Sequence, residues 1–307
     1  MIRQLGAGDY QYQTDENWND ITIAGVASDV ATDSRDRVYV AVRTSETFDN
    51  YTGVILVLDQ NGNFLRSFGD DKLRMPHHIW ISDDDEIYLT DYFDHVVRKY
   101  STDGRLLQVI GTPSQPGNPA GGPFNMPTCA VRANISGDVF VSDGYRQNRV
   151  HRFSYEGDLK LSWGTGDLNL YDEDTWGSKS KAGIGPGEFH CPHSVSVDRY
   201  DRVYIMDRGN DRIQVFDDDG NYLNEWATPN PNQAVIDKND VMHTASGNPR
   251  KVLLTNLDGE KIGSWGDAGT EPWQFMGAPH GLWIDSHDDI YVAQVGAANA
   301  LNKYNRI

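Results

Sequence analysis

Three histidines recur at one position of a repeated sequence pattern, each directly after a proline. The three pairs are Pro76-His77, Pro192-His193 and Pro279-His280. Imidazoles are common zinc ligands, and a set of three leaves a further coordination position open, as a catalytic zinc site requires. A histidine at one register could also belong to the packing of the repeat itself. The pattern therefore predicts either a metal site assembled by symmetry or a structural feature of each repeat.

The residues around these pairs predict four antiparallel β-strands per repeat. In the best-formed copy, strands are predicted at residues 194–197, 203–206 and 213–216, with a fourth ending at Trp226. The Asp-Gly and Asn-Gly pairs between apolar runs are typical of hairpin turns. Six such copies predict an all-β protein, a six-bladed β-propeller. Its repeats resemble NHL repeats, most clearly in the stretch DRGNDRIQVF at residues 207–216.

The six copies predict a single propeller domain over residues 1–307. The approximate blade ranges are 25–69, 76–111, 127–164, 192–227, 233–266 and 279–307. The last copy has only three strands before the sequence ends. We expect residues 10–17 to complete that blade, because closing the ring removes an open sheet edge.

The Pro-His pairs fall in the second, fourth and sixth blades, which alternate around a six-bladed ring. The first strand of each blade lines the central channel, so residues that open this strand in alternate blades should converge. The third blade has Thr128 at this register, and the first and fifth have no Pro-His pair. A residue needed only for packing would not skip every other blade. The sequence therefore favours a metal site formed by His77, His193 and His280.

The remaining histidines share no register with these three. His78 should point to the opposite face of its strand, since successive side chains alternate. The others are interpreted as structural or surface residues: His95, His151, His190, His243 and His287.

Composition excludes several classes of partner. The chain has 27 basic and 45 acidic residues, a net charge of −18, whereas nucleic-acid backbones and anionic membrane surfaces require basic patches. No apolar run approaches the roughly 20 residues of a membrane span, and the first residues lack the apolar core of a secretory signal. The two cysteines, Cys129 and Cys191, are too few for a disulfide framework. We expect a cytoplasmic protein that binds no nucleic acid and no membrane.

Four motifs resemble a known family of enzymes. They are Met75-Pro76-His77, VSDGYRQNR at residues 141–149, Cys191-Pro192-His193-Ser194 and MDRGNDR at residues 206–212. These motifs are similar to those of peptidyl-α-hydroxyglycine α-amidating lyase, over residues 25–307 and in the same blade order. That resemblance is more specific than a match to NHL repeats alone.

The resemblance implies a zinc ion held by the three histidines. It also implies that Tyr145 acts as the base and that Arg43 and Arg208 are cations facing the substrate. The family reaction splits a carbinolamide, R–CO–NH–CH(OH)–COO⁻, into an amide and glyoxylate. We therefore expect a small-molecule substrate that carries a carboxylate, which the planar fork of an arginine binds well.

The chain departs from the family pattern at several positions. Gly281 stands where the family has an aspartate that helps to bind a structural calcium ion, so we do not expect structural calcium. The disulfides of the family are missing, and Gln294 ends a strand where an acidic residue is usual. These departures favour a small carbinol compound over a secreted peptide hormone as substrate.

The leading prediction is a zinc-dependent lyase that cleaves a C–N bond or a related C–O bond, and two alternatives remain open at the level of sequence. One is a hydrolase or hydratase that uses zinc-bound water on the same scaffold. The other is a non-enzymatic NHL propeller that binds a protein partner. Three imidazoles also suit iron, cobalt or copper, so the identity of the metal stays open.

Overall fold

The structure is a computed structural model that describes residues 4–18, 22–44, 53–117, 123–164 and 183–307. Within these ranges the strands form six antiparallel sheets, and the fold is an all-β, six-bladed β-propeller, which confirms the predicted fold class. The only helix among the described residues is a single 3-10 turn, Arg208–Asn210. No helix in the described part of the chain is long and apolar enough to cross a membrane.

The strands of the propeller follow one another along the chain. They are β1 (Gln4–Ala7), β2 (Tyr10–Thr14), β3 (Val26–Thr32), β4 (Val38–Arg43), β5 (Gly53–Leu58), β6 (Phe64–Leu73), β7 (Pro76–Ile81), β8 (Glu86–Asp91), β9 (Val96–Ser101), β10 (Leu106–Ile110), β11 (Cys129–Arg132), β12 (Val139–Asp143), β13 (Arg149–Phe153), β14 (Leu159–Gly164), β15 (Pro192–Val197), β16 (Val203–Asp207), β17 (Arg212–Phe216), β18 (Tyr222–Ala227), β19 (Pro231–Ile236), β20 (Val241–Ser246), β21 (Lys251–Asn256), β22 (Lys261–Trp265), β23 (Ala278–Ile284), β24 (Ile290–Val295) and β25 (Leu301–Arg306).

Each blade corresponds to one sheet. Blades 1 to 5 contain β3–β6, β7–β10, β11–β14, β15–β18 and β19–β22 in that order, and blade 6 contains β23–β25 with β1 and β2. The strands predicted for the best-formed repeat correspond to β15–β18, to within a few residues at each end.

The chain divides into two compact units. Unit 1 comprises Met1–Asp85 and Asn232–Ile307, and unit 2 comprises Glu86–Pro231. The sequence-based assignment of residues 1–307 to one domain stays a prediction.

In unit 1, the N-terminal segment completes the last blade. Strand β2 pairs antiparallel with β25, with Tyr12 opposite Arg306, which confirms the closure expected from residues 10–17. Strand β1 pairs with β2 and adds a fifth strand to this sheet, which the sequence analysis did not predict. Tyr12 packs against Trp265 with 5.6 Å between ring centroids, so the added strand also contributes to the apolar core of unit 1.

Aspartates stabilise the turns between the first and second strands of several blades. In unit 2, Asp198 accepts hydrogen bonds from the backbone N–H groups of Tyr200 and Arg202, each at 2.9 Å. Its second oxygen accepts from Arg202 Nε at 2.7 Å and from the Tyr204 hydroxyl at 3.1 Å. In unit 1, Asp33 accepts the same four kinds of hydrogen bond. Some of the acidic residues of the chain therefore stabilise turns and do not serve only to keep the surface soluble.

Candidate metal and catalytic site

Unit 1 brings His77 and His280 together. His77 lies in β7 and His280 in β23, and both side chains are buried. Their ring centroids are 4.8 Å apart, and the ring planes meet edge to face at 77°. Two of the three histidines singled out by sequence thus lie side by side in the interior of this unit.

A hydrogen bond from His280 to the backbone fixes its tautomer. His280 Nδ1 lies 2.7 Å from the carbonyl oxygen of Ser28, and a carbonyl can only accept, so Nδ1 carries the hydrogen. In the neutral ring, Nε2 is then the nitrogen without a hydrogen, which can accept a hydrogen bond or bind a metal ion. Metal-binding histidines characteristically donate their other N–H to a carbonyl or carboxylate in this way. The buried, oriented imidazoles therefore fit a transition metal such as zinc.

Arg43 also lies beside the strand that carries His77. It is the last residue of β4, and its Nε donates to the carbonyl of Pro76 at 3.2 Å. Arg43 lines a cavity of about 260 Å³ in unit 1. The other lining residues are mostly small: Gly25, Val26, Thr44, Gly296, Ala297 and Ala298.

A buried carboxyl group, Asp29, explains why residue 281 is glycine. A Cβ atom on Gly281 would lie 2.2 Å from Asp29 Oδ1, so Asp29 occupies the space that a side chain would need there. Asp29 Oδ2 accepts a hydrogen bond from the backbone N–H of Ile79 at 2.8 Å. Nevertheless, burial raises the pKa of Asp29 well above its ordinary value. The sequence reveals the glycine but not this partner, which lies in another blade.

His78 lies next to Asp29 and is not part of the ring pair that His77 and His280 form. Its Nδ1 is 3.5 Å from Asp29 Oδ2. Burial lowers the pKa of His78 to about 3, which keeps the imidazole neutral at ordinary pH.

Unit 2 brings the third histidine together with Tyr145. His193 lies in β15 and is buried. The Tyr145 hydroxyl and His193 Nε2 share a hydrogen bond of 3.1 Å, with the two rings edge to face. Tyr92 also packs edge to face against Tyr145, with 5.3 Å between ring centroids. The phenol is therefore held with its oxygen against the imidazole.

Arg208 completes this group in unit 2. Its guanidinium carbon lies 5.6 Å from the centroid of the Tyr145 ring, and one terminal nitrogen donates to Cys191 Sγ at 3.1 Å. Burial alone would lower the pKa of Arg208, but the Cys191 sulfur and the Tyr145 oxygen outweigh it and raise the pKa above its ordinary value. Cys191 was not predicted as part of the site, although its position directly before Pro192-His193 was a usable signal.

The glycine before Tyr145 allows the backbone to approach the Pro-His pair. A Cβ atom on Gly144 would lie 2.2 Å from the carbonyl oxygen of Pro192, so only glycine fits without movement. The preceding Asp143 accepts a hydrogen bond from the Asn125 N–H at 2.8 Å. The motif in which Tyr145 occurs is therefore a tightly fitted turn beside β15.

The other histidines have contacts of a structural kind. His151 lies 3.5 Å from Asp143, and His243 lies 3.3 Å from Asp237. His95 accepts a hydrogen bond from the Met126 N–H at 3.1 Å. The side chain of His287 is more than half exposed.

Comparison with known proteins identifies the family. Residues 189–216 match the NHL repeat. NHL repeat-containing protein 3 from Homo sapiens is 32% identical over 268 residues, which span 79% of this chain and 70% of that protein. The chain belongs to the NHL-repeat family.

This NHL protein is also homologous to an enzyme of the family that the motifs resemble. Peptidyl-alpha-hydroxyglycine alpha-amidating lyase 1 from Drosophila melanogaster is 29% identical over 230 residues, covering 67% of this chain and 40% of that enzyme. The resemblance noted in the sequence is thereby confirmed. Among solved structures, a streptogramin B lyase matches 96% of this chain and 97% of its own with a TM-score of 0.62. At 13% identity, that match concerns the fold alone.

Proposed function

We propose that this NHL propeller is a zinc-dependent lyase that cleaves the C–N bond of a small carbinolamide and releases an amide and a glyoxylate-like product. The observation that carries the proposal is the 3.1 Å contact between the Tyr145 hydroxyl and His193 Nε2. In this contact the Tyr145 oxygen, which can accept a proton, lies directly beside His193, one of the three histidines of the predicted metal site. Homology to the Drosophila lyase supports the same reaction class.

In this proposal, His77, His193 and His280 bind one zinc ion. The side-by-side position of His77 and His280 and the fixed tautomer of His280 support that arrangement. The alternation of the Pro-His pairs between blades supports the inclusion of His193. When bound, the zinc supplies Lewis-acid polarisation of a substrate oxygen.

Tyr145 moves the proton. Its phenolate accepts the proton of the substrate hydroxyl, and a carbonyl forms at that carbon as the C–N bond breaks. The electron pair of that bond stays on nitrogen, which takes the proton and becomes the amide. Bonds and protons balance without uptake of water. The Arg208 guanidinium beside the ring stabilises the negative charge on the deprotonated phenol.

The two arginines bind the carboxylate of the substrate. A guanidinium donates two parallel hydrogen bonds to a carboxylate and fixes its orientation. The 3.2 Å hydrogen bond from Arg43 Nε to the carbonyl of Pro76, directly before His77, supports a role for Arg43 in this site. A small α-hydroxy acid derivative with an N-acyl group is the substrate class that these side chains accept.

The first experiment measures zinc by elemental analysis, on protein purified without chelator. We expect about one zinc per chain in the wild type, loss of zinc in His193→Ala, and retention in the control His243→Asn, since His243 lies in β20 against Asp237 at 3.3 Å. The wild type is then incubated with N-benzoyl-α-hydroxyglycine, and benzamide and glyoxylate are quantified.

Equal amounts of benzamide and glyoxylate support the lyase. A product that has gained the elements of water would point to a hydrolase instead. A wild type that contains no metal and takes up none when zinc is added would contradict the proposal, and a non-enzymatic binding scaffold would then be the better description.

A further inference from the structure

The blades that lack a Pro-His pair carry a buried hydrogen-bond donor at the corresponding place. Each donor contacts the carbonyl of the proline in the next blade along the chain. The three bonds are Ser28 Oγ to Pro76 at 2.9 Å, Thr128 Oγ1 to Pro192 at 2.9 Å and Asn232 Nδ2 to Pro279 at 2.7 Å. All three donors are buried. The Ser28 hydroxyl also lies 3.1 Å from the carbonyl oxygen of Ala41, and the Thr128 hydroxyl lies 3.0 Å from that of Ser142. In both cases the proline carbonyl is the nearer acceptor. The same contact thus occurs before each of the three histidines.

The backbone is irregular at two of these three places, in blades 4 and 6. The pairing of β15 with β16 shifts register between Pro192 and Ser194, and that of β23 with β24 shifts between Pro279 and Gly281. Each shift is a β-bulge at the histidine. A bulge disrupts the ladder locally and redirects a side chain, and a buried carbonyl in such a place needs a donor from elsewhere. The side chain from the preceding blade supplies it.

The anchored oxygen belongs to the peptide that joins proline to histidine. Because a peptide unit is planar, holding its oxygen also orients the histidine N–Cα bond. The ring of proline restricts the other side of that peptide. A donor to the proline carbonyl therefore sets the direction from which the imidazole projects.

Ser28 links two of the histidines. Its hydroxyl donates to the carbonyl before His77, and its own carbonyl accepts from His280 Nδ1 at 2.7 Å. In unit 2, the Thr128 hydroxyl is in turn held by Ser142, whose Oγ lies 2.8 Å away. The donors are chemically different (two hydroxyls and an amide), and what they share is the donation to a proline carbonyl.

We propose that Ser28, Thr128 and Asn232 are positioning residues that aim His77, His193 and His280 at a common metal ion. This inference rests on the metal site of the proposed function. It assigns a role to the alternate blades: one set carries the ligands and the other set holds their backbone. Loss of one donor leaves all three imidazoles present but misdirects one of them.

The test compares metal binding in Thr128→Val and Thr128→Ser with the wild type. Valine has the shape of threonine without the hydroxyl, and serine keeps the hydroxyl. Affinity for Zn²⁺ is measured by competition with a chromophoric chelator, and the site is also loaded with Co²⁺ to record its visible absorption spectrum. Thr255→Val, which removes a buried hydroxyl from the third strand β21, is the matched control.

We expect Thr128→Val to weaken zinc binding on the order of tenfold or more, as loss of partners that orient ligands does elsewhere, and to alter the Co²⁺ spectrum. Thr128→Ser and Thr255→Val should bind as the wild type does. If the wild type binds no metal, the proposed function fails. If the wild type binds and Thr128→Val binds equally well, only the positioning role is overturned, even if the variant melts at a lower temperature.

A second variant keeps the inference testable if Thr128→Val does not fold. Ser28→Ala removes the hydroxyl donor in unit 1 and leaves the carbonyl that holds His280. The same weakening of metal binding is expected in this variant. Unchanged affinity and an unchanged Co²⁺ spectrum in Ser28→Ala would overturn the inference.

Discussion

The Tyr145 hydroxyl and His193 Nε2 lie 3.1 Å apart in a partly buried contact of unit 2, with the two rings edge to face. A metal ion bound by that nitrogen would therefore lie near the phenol oxygen. Arg208 lies over the same ring. An imidazole, a phenol and a guanidinium group therefore lie close together in this unit.

Tyr145→Phe should abolish most of the lyase activity while leaving metal binding intact. The change removes only the oxygen that we propose as the acceptor of the substrate proton, and general-base catalysis is typically worth about 10²–10⁴-fold in rate. The measurement is the rate of glyoxylate release at saturating substrate, with zinc content measured in parallel. Tyr222→Phe, an exposed tyrosine of β18, is the control. Activity of Tyr145→Phe within a few-fold of the wild type would rule out this role.

Arg208→Lys should lower kcat/KM more than it lowers the free energy of unfolding. Lysine keeps the charge but lacks the planar fork that binds a carboxylate and reaches Cys191 at 3.1 Å. We expect kcat/KM to fall about 10- to 100-fold, mainly through KM, because bidentate carboxylate binding is lost. Arg199→Lys, on the exposed surface of unit 2, should be unchanged. A fall in kcat at constant KM would argue against carboxylate binding by Arg208.

Gly281→Ala should destabilise the protein through a clash with Asp29. The added Cβ would meet Asp29 Oδ1 at 2.2 Å and Asp29 Cα at 2.6 Å, and such overpacking costs about 1–3 kcal/mol of unfolding free energy. Urea unfolding of the single variants and of Gly281→Ala with Asp29→Ala gives a double-mutant cycle. Because the carboxylate is the nearest obstacle, the double variant should lose less stability than the sum of the singles. Strict additivity would mean that the two positions do not compete for space.

Stability at high pH should depend on Tyr12, which joins β2 to the last blade. Burial raises the pKa of Tyr12 to about 12, although the neighbouring Arg306 opposes this. The folded-state pKa thus lies above the ordinary value of about 10, so this contribution to stability is complete below pH 10 and is lost as the pH rises towards 12.

Tyr12→Phe should therefore flatten the fall of unfolding free energy between pH 10 and 12. The difference in slope is at most about 1.4 kcal/mol per pH unit, and solvent access reduces it. Urea unfolding at pH 9, 10 and 11 measures the slope for both proteins. Parallel curves would show that Tyr12 ionises equally in the folded and unfolded chains.

The sequence alone determined the propeller. Alternating apolar residues, Asp-Gly turns and repeat spacing are local signals, and they predicted the strands β15–β18 and the completion of blade 6 by β2. The three histidines could be singled out for the same reason, since a shared register can be read along one chain. Strand β1 was missed because Gln4–Ala7 carries no turn or repeat signal of its own.

Only the tertiary structure decided which residues contact the Pro-His segments. His280 binds the carbonyl of Ser28, 252 positions away, and Asp29 fills the space beside Gly281. Such contacts join different blades, so no local periodicity records them. A donor to a proline carbonyl can be serine, threonine or asparagine, because the geometry requires a hydrogen and not a particular residue. Sequence therefore specified the strands and the repeated histidines, whereas the packing of blade against blade selected the side chains that hold them.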